Sequence, residues 1–421
     1  MQRQCMAVSE DGVRFEKNPD NPIITADMLH PEVSYKDFRD PRLFKKGDCY
    51  YLIAGARVID LEKAAKASET CGCADAPGVS VSGGSANPSR LCPSMGDVSG
   101  VNPEKDGWGN MVLLKSKDLY KWEYVGHLIH EQEGYSPEYF RLNGVYECPD
   151  YFVIDGEEVL LSSPQNLPQM GNLYQNIHSG IYMLGKLDFQ TGRFDMRVIG
   201  EVDSGFDFYA AQTLRMPDGR VVMIAWKEMW DRNFPTREEG WAGTYTLPRE
   251  LGVKGDRLIQ KPVREIAAFR KNPVKRGGFA VNNQSVAVED VSGNVIEIRV
   301  TLEPGAAWKS GLKLFKGGKH ETLVYYDRAL KALVFDRANS GIPFSGNEDN
   351  VNVRYLDMGD PESIGLDLFL DVCSLEVFVD GGEHTMTGNV YPDIETDIGV
   401  EFFAEGGECR FRNLEKYDIV A

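Results

Sequence analysis

Short apolar or alternating runs dominate the hydrophobic pattern of this chain, and helical periodicity is nearly absent. Two examples are Val159-Leu160-Leu161 and the run 221–226, each bounded by Gly, Asp or Pro residues typical of turns. Residues 110–265 are built in this way, and similar runs follow later, for example at 294–300 and 375–380. Runs of this length between turn residues are typical of short β-strands. The pattern therefore predicts an all-β protein.

The first part of this pattern repeats along the chain. An acidic residue followed by a β-rich run and a Gly/Asp turn occurs three times, at Asp40, Glu147 and Asp207. Glu147 and Asp207 are 60 residues apart, and the longer interval before Glu147 contains an interrupting segment at 60–108. Radially repeated four-stranded units protect their strand edges, and this is the architecture of a β-propeller. Since the innermost strands converge on one axis, the three carboxylates are expected to form a ring around a central channel.

The same periodicity divides the chain into two predicted domains. We expect an incomplete five-bladed-type β-propeller over residues 1–265, with 60–108 as an inserted surface loop, and a β-sandwich over residues 266–421. The segment from Ser9 to Phe15 returns as Ser116 to Trp122, in the back half of a later repeat. The chain is therefore expected to begin in the middle of a repeat, with the first blade of the ring missing.

Composition narrows the classes of partner. A formal charge of −18 and an isoelectric point near 4.9 argue against nucleic-acid and anionic-membrane partners, because phosphate contacts need clustered Lys and Arg. No apolar run approaches the about 20 residues that span a bilayer. Cys71, Cys73 and Cys92 fall within the inserted segment, where loop cysteines are a better interpretation than a zinc site. We expect no metal and no other cofactor.

The acidic residues suggest a chemistry. Two carboxyl groups facing one cavity are the groups that glycoside hydrolysis needs. The neighbours of Glu147 are apolar or weakly polar, which suits a proton donor because desolvation favours the protonated acid. Asp40 follows Arg39, whose positive charge is expected to keep the aspartate ionised. Tyr209 and Trp241 are candidate stacking platforms for a sugar ring, although an aromatic residue in a β-rich core more often packs.

These residues lie in motifs that resemble glycoside hydrolase family 32, the invertase, fructanase and sucrose-6-phosphate hydrolase group. The resemblance covers nearly the whole chain apart from the insertion. Its matching segments are Phe38-Arg39-Asp40-Pro41, Tyr146-Glu147-Cys148-Pro149-Asp150, Ser163-Pro164-Gln165, the run 205–212, the run 235–243 and Leu247-Pro248-Arg249-Glu250.

The resemblance implies a five-bladed propeller joined to a β-sandwich, and cleavage of terminal β-fructofuranosyl groups with retention of configuration. It implies that Glu147 is the acid/base and that Asp40 is the transition-state stabiliser, with Arg39 beside it. Asp207 and Tyr209 would lie near the floor of the substrate pocket. The family's nucleophile is an aspartate in a Trp-Met-Asn-Asp-Pro-Asn-Gly motif, which this sequence lacks. No nucleophile is therefore assigned, and little or no activity is expected of these 421 residues alone.

Two other functions fit the same residues. A non-catalytic fructoside-binding protein would keep Asp40 and the aromatic side chains, but it has no use for a proton donor. A fructosyltransferase would use the same residues as the hydrolase, so the sequence does not separate these two activities. The expected partner is a small β-fructoside, either sucrose, sucrose-6-phosphate or a fructan. The lack of a disulfide pattern favours the cytoplasm, and the oligomeric state is not predicted.

Overall fold

The structure is a computed structural model that describes residues 2–25, 28–59, 107–346 and 351–420, except for the side chain of Tyr35. The predicted insertion therefore lies almost entirely outside the described residues. In the part that is described, regular structure is almost all β. The first fourteen strands are β1 (Ala7–Val8), β2 (Glu16–Lys17), β3 (Val33–Lys46), β4 (Cys49–Val58), β5 (Trp108–Ser116), β6 (Glu123–His127), β7 (Tyr146–Ile154), β8 (Glu157–Pro164), β9 (Ile181–Leu187), β10 (Phe194–Glu201), β11 (Tyr209–Arg215), β12 (Val221–Trp226), β13 (Arg249–Lys254) and β14 (Arg257–Pro262).

Three four-stranded sheets follow one another along this part of the chain. Their strand orders are β3-β4-β5-β6, β10-β9-β8-β7 and β11-β12-β13-β14, so each sheet is built from four consecutive strands. β1 and β2 form a separate two-stranded antiparallel sheet. Successive four-stranded sheets are the units that the repeat in the sequence predicts.

The Ser-x-Asp segments make the same turn in both copies. Asp11 Oδ1 accepts hydrogen bonds from the backbone N–H groups two and three residues further on, both at 2.8 Å, between β1 and β2. Asp118 Oδ1 does the same between β5 and β6, at 2.9 and 2.8 Å. Ser9 and Ser116 each accept the N–H three residues on, at 2.9 Å. The β1–β2 hairpin therefore has the local geometry of the last hairpin of a four-stranded sheet.

Glycines allow the backbone to approach closely beside the segment that holds Glu147. A Cβ atom added to Gly55 on β4 would lie 2.2 Å from the carbonyl oxygen of Tyr146 on β7. A Cβ atom on Gly109 would lie at the same distance from the Gly144 carbonyl oxygen. Since real Cβ atoms do not approach so closely, only glycine fits at Gly55 and Gly109. The main chain of β4 and β5 therefore packs directly against the chain that leads into β7.

The C-terminal part forms a single ten-stranded hydrogen-bonded sheet. Its order is β20-β19-β18-β17-β24-β16-β21-β22-β23, and β15 also pairs with β24. The long β24 pairs with β17 through residues 399–405 and with β16 through residues 410–418, so one strand serves both halves. The strands are β15 (Arg270–Ser292), β16 (Ile296–Glu303), β17 (Lys309–Lys316), β18 (Thr322–Asp327), β19 (Ala332–Asp336), β20 (Val353–Asp357), β21 (Ile364–Asp371), β22 (Ser374–Val379), β23 (His384–Asn389) and β24 (Gly399–Ile419).

This region encloses its own apolar core. Side chains from both halves of the ten-stranded sheet form one buried cluster, including Ile298 on β16 and Phe402 on β24, both fully buried. Two sheet halves that bury their inner faces against each other have the arrangement of a β-sandwich, with β24 as the strand that switches between sheets. The predicted sandwich is thus recognisable in the strand order.

Contacts within the chain divide it into two compact units. The first comprises residues 1–152, 158–167 and 184–197, and the second comprises 153–157, 168–183 and 198–421. This division differs from the boundary after residue 265, which stays a prediction. Asp40 and Glu147 belong to the first unit, whereas Asp207, Tyr209 and Trp241 belong to the second. No helix in the described ranges is long and apolar enough to cross a membrane.

Candidate active site

Asp40 lies at a bulge in β3. Arg39 pairs with Gly55 and Arg42 pairs with Ile53, so β3 has one residue more than β4 between these two pairs. Asp40 has a φ of 57°, in the left-handed region, and the proline that follows it has no N–H for the ladder. A bulge re-aims the side chains of a strand, and the Asp40 side chain is exposed.

The same distortion recurs in the other two motifs. Cys148 near the start of β7 has a φ of 48°, and Ala210 in β11 has a φ of 55° where the pairing with β12 shifts register. Asp40, Cys148 and Ala210 therefore occupy equivalent positions. The predicted register, which equates Asp40 with Glu147 and Asp207, is wrong by this criterion. Glu147 corresponds instead to Arg39, since each immediately precedes the distorted residue.

Arg39, Asp40 and Glu147 nevertheless lie together, as the sequence predicts. Asp40 Oδ2 accepts a hydrogen bond from the Cys148 backbone N–H at 3.2 Å, and the Cys148 Sγ lies 3.9 Å from the same oxygen. Arg39 Nη1 donates to Glu147 Oε1 at 3.1 Å. Glu147 is 8% exposed, so its carboxyl group is largely shielded from solvent. The bulge of β3 and the start of β7 thus form one polar cluster.

The partner of Arg39 differs from the expected one. Besides Glu147, its guanidinium binds Asp37, and the sequence had suggested that this positive charge serves Asp40. The physical reason is the alternation of side chains along a strand, which puts residues two apart on one side and neighbours on opposite sides. Asp37 and Arg39 therefore share a side, and Arg39 stands between two carboxylates.

Two further contacts fix β7 at this place. Arg42 Nε lies 2.9 Å from Asp150 Oδ1, and Asp150 is fully buried. Ser162 on β8 donates its hydroxyl to the Glu147 carbonyl oxygen at 2.8 Å. Sequence reasoning assigned no role to Asp37, Arg42 or Asp150, although each lies within three residues of a predicted site residue. That proximity was the available signal.

In the second unit, Asp207 lies in a buried network of charges. It is fully buried, and its Oδ2 accepts from Arg337 Nη1 at 2.5 Å and from the Asn389 backbone N–H at 2.8 Å. Arg232 Nε lies 4.0 Å from its Oδ1. Burial lowers the pKa of Arg337 to about 10, and the adjacent Asp207 carboxylate opposes that shift. This geometry gives Asp207 a structural task, and its contact with substrate stays a prediction.

The aromatic candidates of the second unit differ in exposure. Tyr209 is only 1% exposed, and its ring centroid lies 5.6 Å from that of His178, which is an arrangement of packing. Trp241 is 40% exposed, and its indole N–H donates to Glu239 at 3.3 Å. Trp230 is 59% exposed and makes an edge contact with Trp226. Trp241 and Trp230 therefore offer ring surface to a ligand, whereas Tyr209 does not.

Glu228 is a buried acid that sequence reasoning missed. It is 2% exposed, and burial, followed by the nearby charge of Asp207, raises its pKa to about 8. At neutral pH its carboxyl group is therefore mostly protonated and can donate a hydrogen bond. Its position two residues after Trp226, at the end of an apolar strand, was the only signal in the sequence.

No candidate metal-binding site occurs in the described ranges. There, no group of three or more His, Cys, Asp or Glu residues is arranged to hold a metal ion. Cys71, Cys73 and Cys92, which were weighed as zinc ligands, lie outside the described residues. Cys5, Cys49, Cys148, Cys373 and Cys409 form no disulfide bonds among the described residues.

Comparisons with known proteins identify the family of the chain. Residues 1–66 and 98–262 match the N-terminal domain of glycosyl hydrolases family 32, and residues 265–418 match the C-terminal domain. A sucrose-6-phosphate hydrolase of Zymomonas mobilis is 29% identical over 412 residues, which cover 96% of this chain and 69% of that protein.

Solved structures show the same fold. The sucrose-6-phosphate hydrolase from Lactobacillus gasseri aligns with a TM-score of 0.74 at 24% identity, covering 99% of this chain and 72% of that one. A Bombyx mori GH32 beta-fructofuranosidase aligns with a TM-score of 0.71 at 26% identity and the same coverage. The predicted class, an all-β propeller followed by a β-sandwich, is confirmed, and the number of blades stays a prediction. Because the two domain matches together span most of the sequence, the chain belongs to glycosyl hydrolase family 32.

Proposed function

We propose that this chain acts in the hydrolysis of terminal β-D-fructofuranosyl groups, from sucrose, sucrose-6-phosphate or a fructan, with retention of configuration. The observation that carries the proposal is the cluster in which Asp40 accepts the Cys148 N–H and Arg39 donates to Glu147. Family membership and the names of the relatives, sucrose-6-phosphate hydrolases among them, support this substrate class. The substrate is proposed to be a neutral or phosphorylated β-fructoside.

Glu147 is proposed as the acid/base. Its largely shielded carboxyl group would protonate the oxygen of the leaving group in the first half of the reaction and take a proton from water in the second. Arg39 holds one of its oxygens and is itself shared with Asp37, so the orientation of Glu147 is fixed by a charged partner. A fixed carboxyl group loses less entropy on reaching the transition state.

Asp40 is proposed as the transition-state stabiliser. An ionised carboxylate offers about four acceptor positions, and the Cys148 N–H occupies one of them. The exposed side chain at the bulge leaves other positions for sugar hydroxyl groups, whose hydrogen bonds to a carboxylate strengthen as positive charge develops on the ring. Trp241 is proposed to bind a sugar through its exposed ring, and substrate contact by Asp207 and Tyr209 stays a prediction.

The attacking group is not assigned to any residue of this sequence. Retaining hydrolysis needs two carboxyl groups about 5 to 5.5 Å apart, one of which forms the covalent intermediate. The motif that carries this aspartate in the family does not occur in the 421 residues. This departure favours one second candidate, a fructoside-binding protein without turnover.

The test compares hydrolysis with binding. Release of fructose from sucrose and from sucrose-6-phosphate is measured for this polypeptide, for the same polypeptide extended upstream, and for Glu147→Gln in whichever form is active. We expect Glu147→Gln to lose most of the rate while it still binds sucrose by calorimetry. An undiminished rate would remove Glu147 from the acid/base role. Calorimetric binding without turnover in every form would favour the binding protein.

We also propose a cytoplasmic location. The five cysteines in the described part of the chain form no disulfide bonds with one another, as is usual for proteins of a reducing compartment. Phosphorylated sugars, which the names of several relatives give as substrates, also fit this location. Labelling with a membrane-impermeant thiol reagent in intact and lysed cells would test the location, since labelling of the protein in intact cells contradicts the proposal.

A further inference from the structure

The strand β15 forms an open edge of the C-terminal sheet. It is 23 residues long and pairs along its length with β24, and with no other strand among the described residues. By contrast, β24 has β15 on one side and both β16 and β17 on the other. Sixteen residues of β15 are exposed, and only Val281 and Val291 are buried. One row of backbone N–H and C=O groups of β15 therefore has no strand beside it.

A long unpaired edge is a template for another strand, and proteins block such edges with bulges, prolines or charged side chains. β15 has register shifts between Lys271 and Val274, between Asn282 and Gln284, and after Ala287. Between these shifts its pairing with β24 is regular through residues 274–282 and 284–287. Those two stretches keep the regular spacing that a further strand needs.

The other edges of this sheet offer less to a partner. β20 has only five residues, and β23 is buried except at His384, which is partly exposed. Among the edges of the C-terminal sheet, β15 therefore presents the longest exposed backbone.

The charged side chains of β15 are distributed unevenly along the strand. Lys271 and Arg276 lie in its first half, Glu289 and Asp290 lie in its second half, and all four are exposed. None of the four makes an ion pair within the described residues, whereas Lys275 binds a glutamate of β24 at 2.6 Å. The first half of the edge therefore carries unpaired positive charge, and the second half carries unpaired negative charge.

This order of charges is complementary to itself in an antiparallel pair. Two copies of β15 related by a twofold axis run antiparallel, so the first half of each copy faces the second half of the other. With the axis in the middle of the strand, between residues 281 and 282, residues 289 and 290 of one copy face residues 274 and 273 of the other. The axis repeats the same contact at the opposite end of the pair.

In this register the acidic residues of one copy lie between the basic residues of the other. Glu289 and Asp290 are then two or three positions from Lys271 and Arg276 of the second copy, which is about 7–10 Å along a strand. Charges at this separation attract each other within the Debye length of about 10 Å at 0.1 M salt. A partner strand of uniform charge would be repelled by one half of β15, so a second copy of the chain is the better partner.

We propose that β15 is an interface between two copies of this chain, which pair β15 with β15 in antiparallel orientation across a twofold axis. The shared ladder of backbone hydrogen bonds supplies affinity, and the opposite charges of the two halves fix the direction of pairing. The inference goes beyond the proposed function, since no residue of β15 takes part in the chemistry assigned to Glu147 and Asp40.

The first test measures the mass of the full chain in solution by sedimentation equilibrium. We expect a dimer at micromolar protein that weakens as salt is added. Lys271→Glu with Arg276→Glu makes the whole edge acidic, and Glu289→Lys with Asp290→Lys makes it basic. Each double variant should dimerise at least about tenfold more weakly than the parent, because like charges then face each other. An equimolar mixture of the two should form a heterodimer, since an acidic edge then meets a basic one.

A matched control separates this effect from a change in net charge. Glu133→Lys with Glu362→Lys changes the net charge by the same amount as the basic variant, at two exposed positions outside β15. This control should dimerise like the parent.

The second test locates the contact and needs no variant. Amide hydrogen exchange is measured on the parent chain at a concentration that gives dimer and after dilution to monomer. We expect residues 274–287 to exchange more slowly in the dimer, because their free backbone N–H groups become hydrogen-bonded.

Four results would overturn the proposal. They are a parent chain that stays monomeric throughout the micromolar range, a mixture of the two charge-reversed variants that stays monomeric, equal weakening in the control, and equal exchange of residues 274–287 in dimer and monomer. Neither measurement depends on turnover, so failure of fructoside hydrolysis would leave both readouts unaffected.

Discussion

A variant of Asp207 tests directly whether this motif residue stabilises the fold or contacts the substrate. Its carboxylate is fully buried, 2.5 Å from the equally buried Arg337, with Arg232 at 4.0 Å. Replacing it with Asn leaves two guanidinium groups without this opposing charge. Removing one partner of a buried ion pair costs about 3–5 kcal/mol. Since the Asn side chain can still accept the Asn389 N–H, we expect the lower half of that range.

The assay is the free energy of unfolding in urea, for Asp207→Asn, Arg337→Met and the double variant. Because the double variant removes both charges, its loss should fall short of the sum of the two single losses by about 1–3 kcal/mol. The matched control is Asp360→Asn, which breaks the Lys331–Asp360 pair. That pair also has a 2.5 Å contact, but both side chains are about 60% exposed. The control should leave the unfolding midpoint unchanged.

Either of two results would refute this reasoning. One is an Asp207→Asn variant as stable as the Asp360→Asn control. The other is full stability combined with a large rise in KM for sucrose in the active form, which would return Asp207 to the substrate pocket. Additive effects in the double variant would show that Asp207 and Arg337 do not depend on each other.

Three further predictions concern other described residues. Burial raises the pKa of Glu228 to about 8, so the contribution of Glu228 to stability is complete below the unfolded pKa near 4.5 and is lost as pH rises towards 8. In thermal melts at several pH values, Glu228→Gln should flatten this decline in stability. An unchanged slope of stability against pH would contradict the prediction. The hydrogen bond from His127 lowers the pKa of Glu32 to about 2, so stability is lost as pH falls from about 4.5 to 2. Glu32→Gln should be less stable than the parent at pH 6 and should lose less stability on acidification. Urea unfolding at each pH would check this. Gly55→Ala should cost about 1–3 kcal/mol of stability and lower kcat of the active form, because the added Cβ atom pushes on the Tyr146 carbonyl beside Glu147. The control is Gly318→Ala, because an added Cβ atom at Gly318 meets nothing within 4 Å.

Much of the fold followed from the sequence because its signals are local. The alternation of apolar residues and the Gly/Asp turns predict strands and hairpins, and the repeated Ser-x-Asp segments predict the turn that Asp11 and Asp118 both make. The meeting of Asp40 with Glu147 followed from the geometry of repeated units. These properties depend on neighbours in the chain or on symmetry.

The features that the sequence did not predict depend on which side chains contact each other in the fold. The spacing of residues along the chain does not determine these contacts. A bulge shifts the register of a strand by one residue, so equating Asp40 with Glu147 failed while their proximity held. The partner of Asp207 lies 130 residues away at Arg337, beyond any local pattern. Glu228 looks like an ordinary charged residue until its burial is known.

The direct packing of Gly55 and Gly109 against the chain entering β7 has a consequence for protein engineering. The approach of main chain to main chain, and not the fit of exchangeable side chains, sets how far the Glu147 segment stands from β4 and β5. Libraries that randomise the surrounding apolar positions should therefore keep Glu147 in place, provided that both glycines are held constant. The distance between these segments is set by the two positions that have no side chain.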